Sequence, residues 1–305
     1  MAHTEIAQSE HPATTVLFIG LGNMGWPMAA RLVEDGRTVI VADADADREQ
    51  AFATEFGCTG LREQQSLGGV DAVVLMLPTS AIVREALLGE KSGVATRLPA
   101  TSVVVDMSSS DPTDTLALGR DLATRGIRVV DAPVSGGVPR ARQGTLAIML
   151  GADDEAAAAL AVDVVTPMSN RVFRTGALGT GHAMKALNNY VAAAAFAAAA
   201  EATIIGDHYK LSPEVVLEVL NASTGRSFMS ETTLAQVVSG EYSTGFALGL
   251  LDKDVRIASQ LADRAGASAP VCDEVSRRFA AATASQGFAA DHSRAYLAWK
   301  AEDAG

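Results

Sequence analysis

Cysteine, aromatic residues and basic residues are all scarce in this chain. Of its 305 residues only 2 are cysteine, and the spacing of Cys58 and Cys272 fits neither a zinc site nor a disulfide framework. This usage is typical of a reducing compartment, and we expect a cytoplasmic protein. The 24 basic residues are outnumbered by 36 acidic ones, which leaves a net charge of -12. Because such a charge repels a phosphate backbone and an anionic membrane surface, neither nucleic acid nor membrane is an expected partner.

The chain also lacks a long hydrophobic run. The longest apolar stretch, residues 191–200, is too short and too rich in alanine to cross a bilayer, so we expect no membrane-spanning segment. Residues 1–13 are polar, without the basic start and apolar centre of a signal peptide, and we interpret them as a flexible tail. Hydrophobic residues make up 48% of the sequence and charged residues 20%, the balance of a globular protein long enough for two domains.

The first half of the sequence alternates short β-branched runs with helical patterns. This alternation is typical of a Rossmann-type α/β domain, a doubly wound parallel sheet with helices on both faces. An aspartate, Asp153 or Asp154, is expected to cap the helix that follows the sixth strand. Ligands bind such sheets at the carboxyl ends of the strands, so the loops after the first five strands should lie together. The predicted strands are residues 15–19, 38–42, 71–77, 102–106, 128–131 and 146–150.

The second half contains helical patterns and no convincing strand. We therefore predict a dinucleotide-binding Rossmann domain at residues 14–176 and an all-α domain for substrate binding and dimerisation at residues 177–305. The alanine-rich stretch would let a second copy of the chain approach closely, so a homodimer or homotetramer is expected. The predicted helices are residues 183–209, 213–221, 231–238, 248–265, 269–285 and 293–301.

A glycine-rich segment follows the first predicted strand and opens the first predicted helix. In a dinucleotide fingerprint of this spacing, the first glycine permits a tight turn, the second lets a pyrophosphate approach, and the third lets helix and strand pack closely. Such a motif alone is weak evidence, but its flanking strand and helix agree with it. We therefore predict that this segment binds a dinucleotide through Gly20, Leu21, Gly22, Asn23, Met24 and Gly25.

A single acidic residue at the end of the second strand bears on the choice of cofactor. The carboxylate of Asp43 would accept hydrogen bonds from a ribose 2'-hydroxyl and repel a 2'-phosphate, which favours NAD over NADP. Arg48 is the nearby base that could argue otherwise, and we expect it on the next helix, in solvent.

A lysine and an asparagine follow a second glycine-rich turn. Lys185 and Asn189 lie four residues apart, so on a helix both side chains leave one face. An amine and an amide placed in this way can hold a substrate hydroxyl, one exchanging its proton and the other fixing its orientation. A pair of solvated polar residues on a helix surface is the alternative.

The predicted strand at residues 128–131 leads into another turn that could bind an anion. Ser135, Gly136 and Gly137 can present a hydroxyl and open backbone N–H groups to a carboxylate. A simple tight turn is the alternative, but the expected position at the carboxyl edge of the sheet favours a ligand.

Four segments together resemble the β-hydroxyacid dehydrogenase family, which includes 3-hydroxyisobutyrate dehydrogenases. They are residues 20–28, 131–137, 176–189 and the pair Lys253-Asp254, and they occur in family order over residues 14–300. The resemblance implies that Lys185 is catalytic and Asn189 orients the substrate.

The same resemblance assigns further residues. It implies that Ser135, Gly136 and Gly137 bind the substrate, and that the cofactor is contacted by Met76, Leu77, Pro78, Ser109 and Lys253. Behind Lys253 the helix departs from the family pattern, with Val255 and Gln260 where leucine and aspartate are usual.

The substrate pocket is expected to be shaped by Arg226, Phe228 and Phe246. Arg226 could pair with a second anionic group of the substrate or could face solvent. We expect no metal. The predicted activity is an NAD-dependent hydride transfer between nicotinamide and a small 3-hydroxy acid of the 3-hydroxyisobutyrate type, with a lysine as general acid and base.

Three alternatives stay open at this point. An NADPH-linked reductase of small semialdehydes would use the same scaffold, but Asp43 argues against it. Imine reduction is less favoured because Lys185 is retained. A non-catalytic dinucleotide sensor would have no need of Lys185, Asn189 and Ser135.

Overall fold

The computed structural model of the protein describes residues 15–303. The predicted flexible tail, residues 1–13, lies outside this range. The described residues form two compact units, of which the first ends at Lys185 and the second begins at Ala186. The division falls within one long helix, so the chain passes from the first unit to the second without a loop.

The first unit is built on a nine-stranded sheet. Six parallel strands form its main part: β1 (Thr15–Ile19), β2 (Thr38–Ala42), β3 (Thr59–Gly60), β4 (Ala72–Leu75), β5 (Val103–Asp106) and β6 (Arg128–Asp131). Their order in the sheet is β3-β2-β1-β4-β5-β6, which is that of a doubly wound dinucleotide-binding fold. The predicted fold class is confirmed.

The sheet continues beyond β6 with three further strands. These are β7 (Val134–Ser135), β8 (Leu146–Gly151) and β9 (Ser169–Gly176). β8 pairs antiparallel with β6 and β7 and parallel with β9. The sequence prediction missed β3, β7 and β9: β3 and β7 have two residues each, and β9 is polar and largely exposed, so it lacks the apolar alternation that marks a half-buried strand.

Helices cover both faces of this sheet. Because successive strand residues point to opposite faces, Val16 and Phe18 of β1 enter one apolar core while Leu17 and Ile19 enter the other. Both cores are fully buried, which explains why the strands are nearly continuous runs of valine, isoleucine and leucine. The helices are α1 (Gly25–Glu34), α2 (Ala46–Phe56), α3 (Ser80–Leu88), α4 (Pro112–Ala123), α5 (Gly137–Gln143) and α6 (Glu155–Val165).

The second unit is helical, as predicted. It packs around an aromatic centre in which Phe196 and Phe279 each lie against the indole of Trp299, at centroid distances of 5.7 and 5.3 Å. The predicted helix at residues 231–238 is observed at Thr233–Ser239, and a short helix before it, which starts at a capping box on Ser227, was not predicted. The helices are α7 (Thr180–His208), α8 (Pro213–Ala222), α9 (Phe228–Glu231), α10 (Thr233–Ser239), α11 (Leu248–Ala265), α12 (Pro270–Gln286) and α13 (Ala295–Asp303).

The long helix α7 has the length and composition of a membrane span, with a mean hydropathy of 1.3 in its most apolar window. Half of that window is buried inside the protein. Phe196 and several alanines of α7 belong to the core of the second unit. A buried core helix gives the same hydropathy signal, so the signal is weak evidence for a membrane segment.

Candidate active site

The turn between β1 and α1 shows three glycines in three different environments. Gly20 has a φ of +103°, and a Cβ there would collide with the carbonyl of Met76. A Cβ on Gly25 would collide with the carbonyl of Gly20 and approach the ring of Phe18 to 3.3 Å. A Cβ on Gly22 would meet no atom of the described chain within 4 Å. The outer glycines therefore close the turn, and the middle one borders open space where a pyrophosphate could approach the backbone.

The amino end of α1 differs from those of four other helices in the first unit. α2, α3, α4 and α6 begin with a side chain that accepts a backbone N–H, supplied by Asp45, Thr79, Asp111 and Asp154. Within the described chain, Met24 at the N-cap of α1 makes no such bond, and its first turn carries no acidic residue. The helix thus presents its positive end without an internal anion, which fits a phosphate-binding role.

Asp43 lies at the end of β2, beside the glycine turn. Its carboxylate accepts the Leu21 N–H at 2.7 Å and the Asp45 N–H at 2.9 Å. Arg48 lies on α2 with 44% of its side chain exposed, as expected, but its Nη1 is 3.5 Å from the Asp43 carboxylate. The acidic residue is therefore held against the turn, with one guanidinium within reach.

A buried glutamate orders the same edge of the sheet. Glu49, only 3% exposed, accepts the backbone N–H groups of Asp43 and Arg62 and forms an ion pair with the Arg62 guanidinium. Sequence reasoning did not single out Glu49 or Arg62, because their partners come from different elements.

The loops after β4 and β5 adjoin the glycine turn. Met76 donates its N–H to the carbonyl of Ile19, and Leu77 donates its N–H to the Ser108 hydroxyl at 3.0 Å. Ser108 is fully buried, whereas the predicted Ser109 is half-buried and Pro78 is exposed. The expected convergence of loops is present, and Ser108 is a structural link that the sequence did not reveal.

The loop after β6 carries the predicted substrate-binding turn. Ser135 ends β7, where it pairs with Ala147 of β8, and it is half-buried. Gly136 and Gly137 follow with φ values of +135° and +68°, conformations that favour glycine, and lead directly into α5. The turn is thus anchored on the sheet on one side and opens a helix on the other.

Asp131, at the end of β6, bonds to the first turn of α7. Its carboxylate accepts the N–H groups of Gly179 and His182, each at 2.7 Å, and it is fully buried. Burial raises the pKa of this carboxyl, although the nearby His182 ring and the two N–H donors act in the opposite direction. The sequence analysis included Asp131 in a motif but predicted no role for it.

His182 is a buried residue of the same cluster. Its ring lies in the interior, with 1% of the residue exposed. Its Nδ1 lies 2.8 Å from the Thr115 hydroxyl, and its Nε2 lies 3.7 Å from the Asp106 carboxylate.

Lys185 and Asn189 follow one turn further along α7. Lys185 is half-buried and Asn189 is buried. The Asn189 amide donates to the Asp254 carboxylate at 2.6 Å, and the Lys253 ammonium lies 3.2 Å from the same carboxylate. Asp254 is 1% exposed, so its carboxylate binds the predicted site residues Asn189 and Lys253 from a buried position.

The residues expected to shape the substrate pocket lie elsewhere in the second unit. Arg226 is exposed and forms an ion pair with Glu231 at 2.6 Å. Phe228 is 69% exposed, and Phe246 packs edge-on against the His292 ring at 5.9 Å. The ion pair means that Arg226 would have to exchange Glu231 for a substrate anion.

Two segments of the chain match known protein families. Residues 15–176 match the family described as the NAD binding domain of 6-phosphogluconate dehydrogenase. Residues 179–299 match the family described as NAD-binding of NADP-dependent 3-hydroxyisobutyrate dehydrogenase. With the fold and the glycine turn, these matches define an oxidoreductase with NAD(P)-binding domains.

Individual relatives narrow this class. The chain is 36% identical over 242 residues to 2-(hydroxymethyl)glutarate dehydrogenase of Eubacterium barkeri, covering 79% of this chain and 80% of the relative. It is 36% identical over 261 residues to human mitochondrial 3-hydroxyisobutyrate dehydrogenase, covering 82% and 76%. The solved structure of Mycobacterium tuberculosis 3-hydroxyisobutyrate dehydrogenase with L-serine superposes with a TM-score of 0.82 at 30% identity, over 94% of this chain and 99% of that one. The chain belongs to the β-hydroxyacid dehydrogenase family.

Proposed function

We propose that this protein is an NAD-dependent dehydrogenase of a small 3-hydroxy acid, with Lys185 as the residue that exchanges a proton with the substrate hydroxyl. The observation that carries the proposal is the network one turn beyond Lys185. Asn189 and Lys253 are both bound to the buried carboxylate of Asp254. A helical core gains little stability from a buried ion pair, so a network of this kind is better explained by a functional requirement.

Separate groups of residues would bind the cofactor and the substrate. Gly20, Gly22 and the amino end of α1 would hold the dinucleotide phosphates, and Asp43 would bind the adenosine ribose. Ser135 and the two glycines after it would bind the substrate carboxylate. When bound, the nicotinamide supplies the hydride acceptor for the carbinol carbon.

Proton transfer would fall to Lys185. On oxidation its amine would accept the hydroxyl proton, and on reduction its ammonium would return it. The Asn189 amide, kept in one orientation by Asp254 and by an Asn188 N–H at 3.2 Å, would orient the substrate on the same helix face. Lys253 would contribute positive charge, which favours alkoxide character in the transition state.

The relatives support the substrate class. Two of them are named for acids that carry a hydroxymethyl or 3-hydroxy group, and the mycobacterial structure contains L-serine, which is also a 3-hydroxy acid. The proposed substrates therefore share a carboxylate with a hydroxyl on the carbon two positions away.

A second candidate is an NADPH-linked reductase of small semialdehydes. The observation in its favour is the position of Arg48, whose guanidinium lies 3.5 Å from the Asp43 carboxylate and could turn to a 2'-phosphate. The comparison of kcat/KM for NAD and NADP separates the two candidates. We expect a preference for NAD, because Asp43 would repel the 2'-phosphate.

The test is a screen of NAD and NADP reduction over 3-hydroxyisobutyrate, 3-hydroxypropionate, glycerate and serine, followed by Lys185→Ala on the best substrate. The variant should lose about 10²- to 10⁴-fold in kcat, the usual contribution of a general acid or base. Its affinity for NADH, followed by nucleotide fluorescence, should stay within about twofold, since Lys185 is not assigned to the cofactor.

Lys91→Ala is the matched control, because Lys91 is an exposed lysine on the surface of the first unit. It should leave kcat and KM unchanged. Turnover of Lys185→Ala close to that of the control would rule out the proposed proton transfer, and no activity with any hydroxy acid would rule out the substrate class.

We also propose a homodimer or homotetramer located in the cytoplasm. The scarcity of cysteine supports the location, and exposed apolar side chains of the second unit support association with another copy of the chain. These side chains include Val191, Ile205, Tyr209, Val215 and Val219, all between 48% and 78% exposed. Light scattering of the purified protein measures its mass, and a monomer at all concentrations would contradict the proposal.

A further inference from the structure

The helix that carries Lys185 begins without a capping side chain of its own. The residue before its first turn is Gly179, with a φ of +91° and no side chain. Helices normally satisfy their first N–H groups with a serine, threonine, aspartate or asparagine at this position. α7 therefore depends on a group from elsewhere in the chain.

That group is the carboxylate of Asp131. One of its oxygens accepts the Gly179 N–H and the other accepts the His182 N–H, both at 2.7 Å. His182 is the third residue of α7, which is the position whose N–H a normal N-cap side chain would satisfy. Asp131 thus replaces the missing cap across 48 and 51 residues of sequence.

Two glycines leave space for the Asp131 carboxylate. A Cβ on Gly151 would lie 2.6 Å from one carboxylate oxygen, and a Cβ on Gly181 would lie 2.8 Å from the other. Any larger residue at either position would displace Asp131 or the helix. The two glycines therefore let the carboxylate reach the backbone of α7.

Asp131 also belongs to the segment that carries Ser135. The chain between them is held to β8, since Met149 donates its N–H to Pro133 and Val134 pairs with Ile148. One end of this rigid segment is bonded to α7, and the other end is the predicted substrate-binding turn.

We propose that Asp131 is a positioning residue, which fixes the first turn of α7 to the strand that leads to Ser135 and so places Lys185 relative to the substrate carboxylate. The inference rests on the proposed function, because Asp131 acts through Lys185. Lys185 comes three residues after His182, less than one helical turn, so a shift of the bonded turn moves the lysine with it.

The buried ring of His182 supports the same turn from a second direction. Its Nδ1 contacts the Thr115 hydroxyl on α4, and its Nε2 faces Asp106 at the end of β5. The first turn of α7 is thus held both through its backbone and through a side chain. Loss of the Asp131 bonds should therefore loosen this turn without detaching it.

The experiment compares Asp131→Asn and Asp131→Ala with the wild-type enzyme. Asparagine keeps one acceptor oxygen and alanine keeps none, so kcat should fall in the order aspartate, asparagine, alanine. We expect a loss of about 10- to 100-fold for asparagine, because misplacement of a reacting group by about 1 Å has an effect of this size. KM and NADH affinity should change by less than about threefold, since substrate and cofactor contacts remain.

Asp153→Asn is the matched control. Asp153 accepts the Leu178 N–H at 3.0 Å from an exposed position just before the same helix, so this variant makes the same chemical change at the same segment. It should leave kcat within about twofold, because an exposed neutral donor is readily solvated. A loss in the control equal to that in Asp131→Asn would contradict the specific role of Asp131.

Amide hydrogen exchange gives a readout that does not depend on activity. In the wild-type protein the N–H groups of Gly179 and His182 should exchange slowly, and in Asp131→Asn they should exchange faster while those of residues 193–200 stay protected. Rapid exchange of both amides in the wild type would overturn the inference even if no variant folds.

The two proposals fail in different ways. A wild-type protein that is inactive with every hydroxy acid refutes the proposed function and leaves the exchange result as the test of the bonds. An active wild type with an equally active Asp131→Asn variant overturns the positioning role, as does a variant that changes KM and leaves kcat unaltered.

Discussion

Two buried carboxylates hold the helix α7, and they do so in different ways. Asp131 in the first unit binds backbone N–H groups before Lys185, whereas Asp254 in the second unit binds the Asn189 side chain after it. The first contact sets where the helix begins, and the second sets how a side chain is oriented. A catalytic lysine on this helix would depend on both, because position and orientation contribute separately to a reactive geometry.

The charge environments of the two carboxylates also differ. Asp254 has the Lys253 ammonium 3.2 Å away, while the hydrogen bonds to Asp131 come from neutral N–H groups. Burial raises the pKa of Asp131 above its ordinary value of 3.8, which shows the cost of keeping that charge inside the sheet unit. Asp131 therefore positions the helix through backbone donors, whereas Asp254 has an oppositely charged side chain beside it.

The largest effect should follow the loss of the carboxylate that has a charged partner. Asp254→Ala removes the ion-pair partner of Lys253, whose side chain is 11% exposed in the wild type, and it removes the acceptor of the Asn189 amide. We expect the free energy of unfolding to fall by about 3–5 kcal/mol, as when one partner of a buried pair is removed. Urea denaturation followed by circular dichroism measures this change.

Asp263→Ala on the same helix is the control, because Asp263 is exposed near the carboxyl end of α11. It should change stability by less than about 0.5 kcal/mol. An Asp254→Ala variant as stable as this control would show that the buried network is not coupled to the fold.

A double-mutant cycle between Asn189 and Asp254 should show an intermediate effect. The single variants Asn189→Ala and Asp254→Ala each remove the 2.6 Å hydrogen bond, so the double variant should lose less than their sum. We expect a coupling energy of about 1.5–3 kcal/mol, the range for a hydrogen bond to a charged group. Additive losses in denaturation experiments would mean that the two side chains act independently.

The smallest effect is a difference in pH dependence between the two units. In the second unit burial lowers the pKa of His292 below 6.5, despite the neighbouring Asp291 carboxylate. The stability that His292 contributes is complete above pH 6.5 and is lost as the pH falls towards its folded-state pKa. For Asp131, whose pKa is raised, the contribution is complete below pH 3.8 and is lost as the pH rises through its folded-state pKa.

Stability measured against pH in His292→Gln and Asp131→Asn separates these two trends. Acidification from pH 7 should narrow the stability difference between wild type and His292→Gln. Acidification through the Asp131 transition should favour the wild type over Asp131→Asn. The same trend in both comparisons would contradict the assignment of opposite shifts to the two groups.

The first unit was the easier one to predict. Its strands are apolar runs bounded by turns, and residues 15–19, 38–42 and 128–131 were predicted with the observed bounds. The glycines around Gly22 and the acidic Asp43 could be placed because a dinucleotide fold puts them at fixed distances along the chain. The strand β9 could not be predicted, since its polar exposed residues resemble those of a loop.

In the second unit the helices could be predicted from the sequence, but the contacts between their side chains were not. Its helices were recognised from apolar periodicity, and α11 was predicted with its observed bounds. The partner of Asn189 could not be predicted, because Asp254 is 65 residues away and reaches Asn189 only when two helices pack. The ion pair of Arg226 with Glu231, five residues later, was also missed, although the short spacing made it accessible.

The sequence by itself determined the apolar strands and most of the helices, the glycine turn and the family, since these follow from local periodicity and from residues close together in the chain. Only the tertiary structure decided which carboxylates hold the helix of Lys185. The amino end of α7 has no cap in its own sequence, and Asp131 supplies one from 48 residues away. Backbone N–H groups carry no residue identity, so nothing in the sequence around Gly179 could indicate which acceptor would bind them.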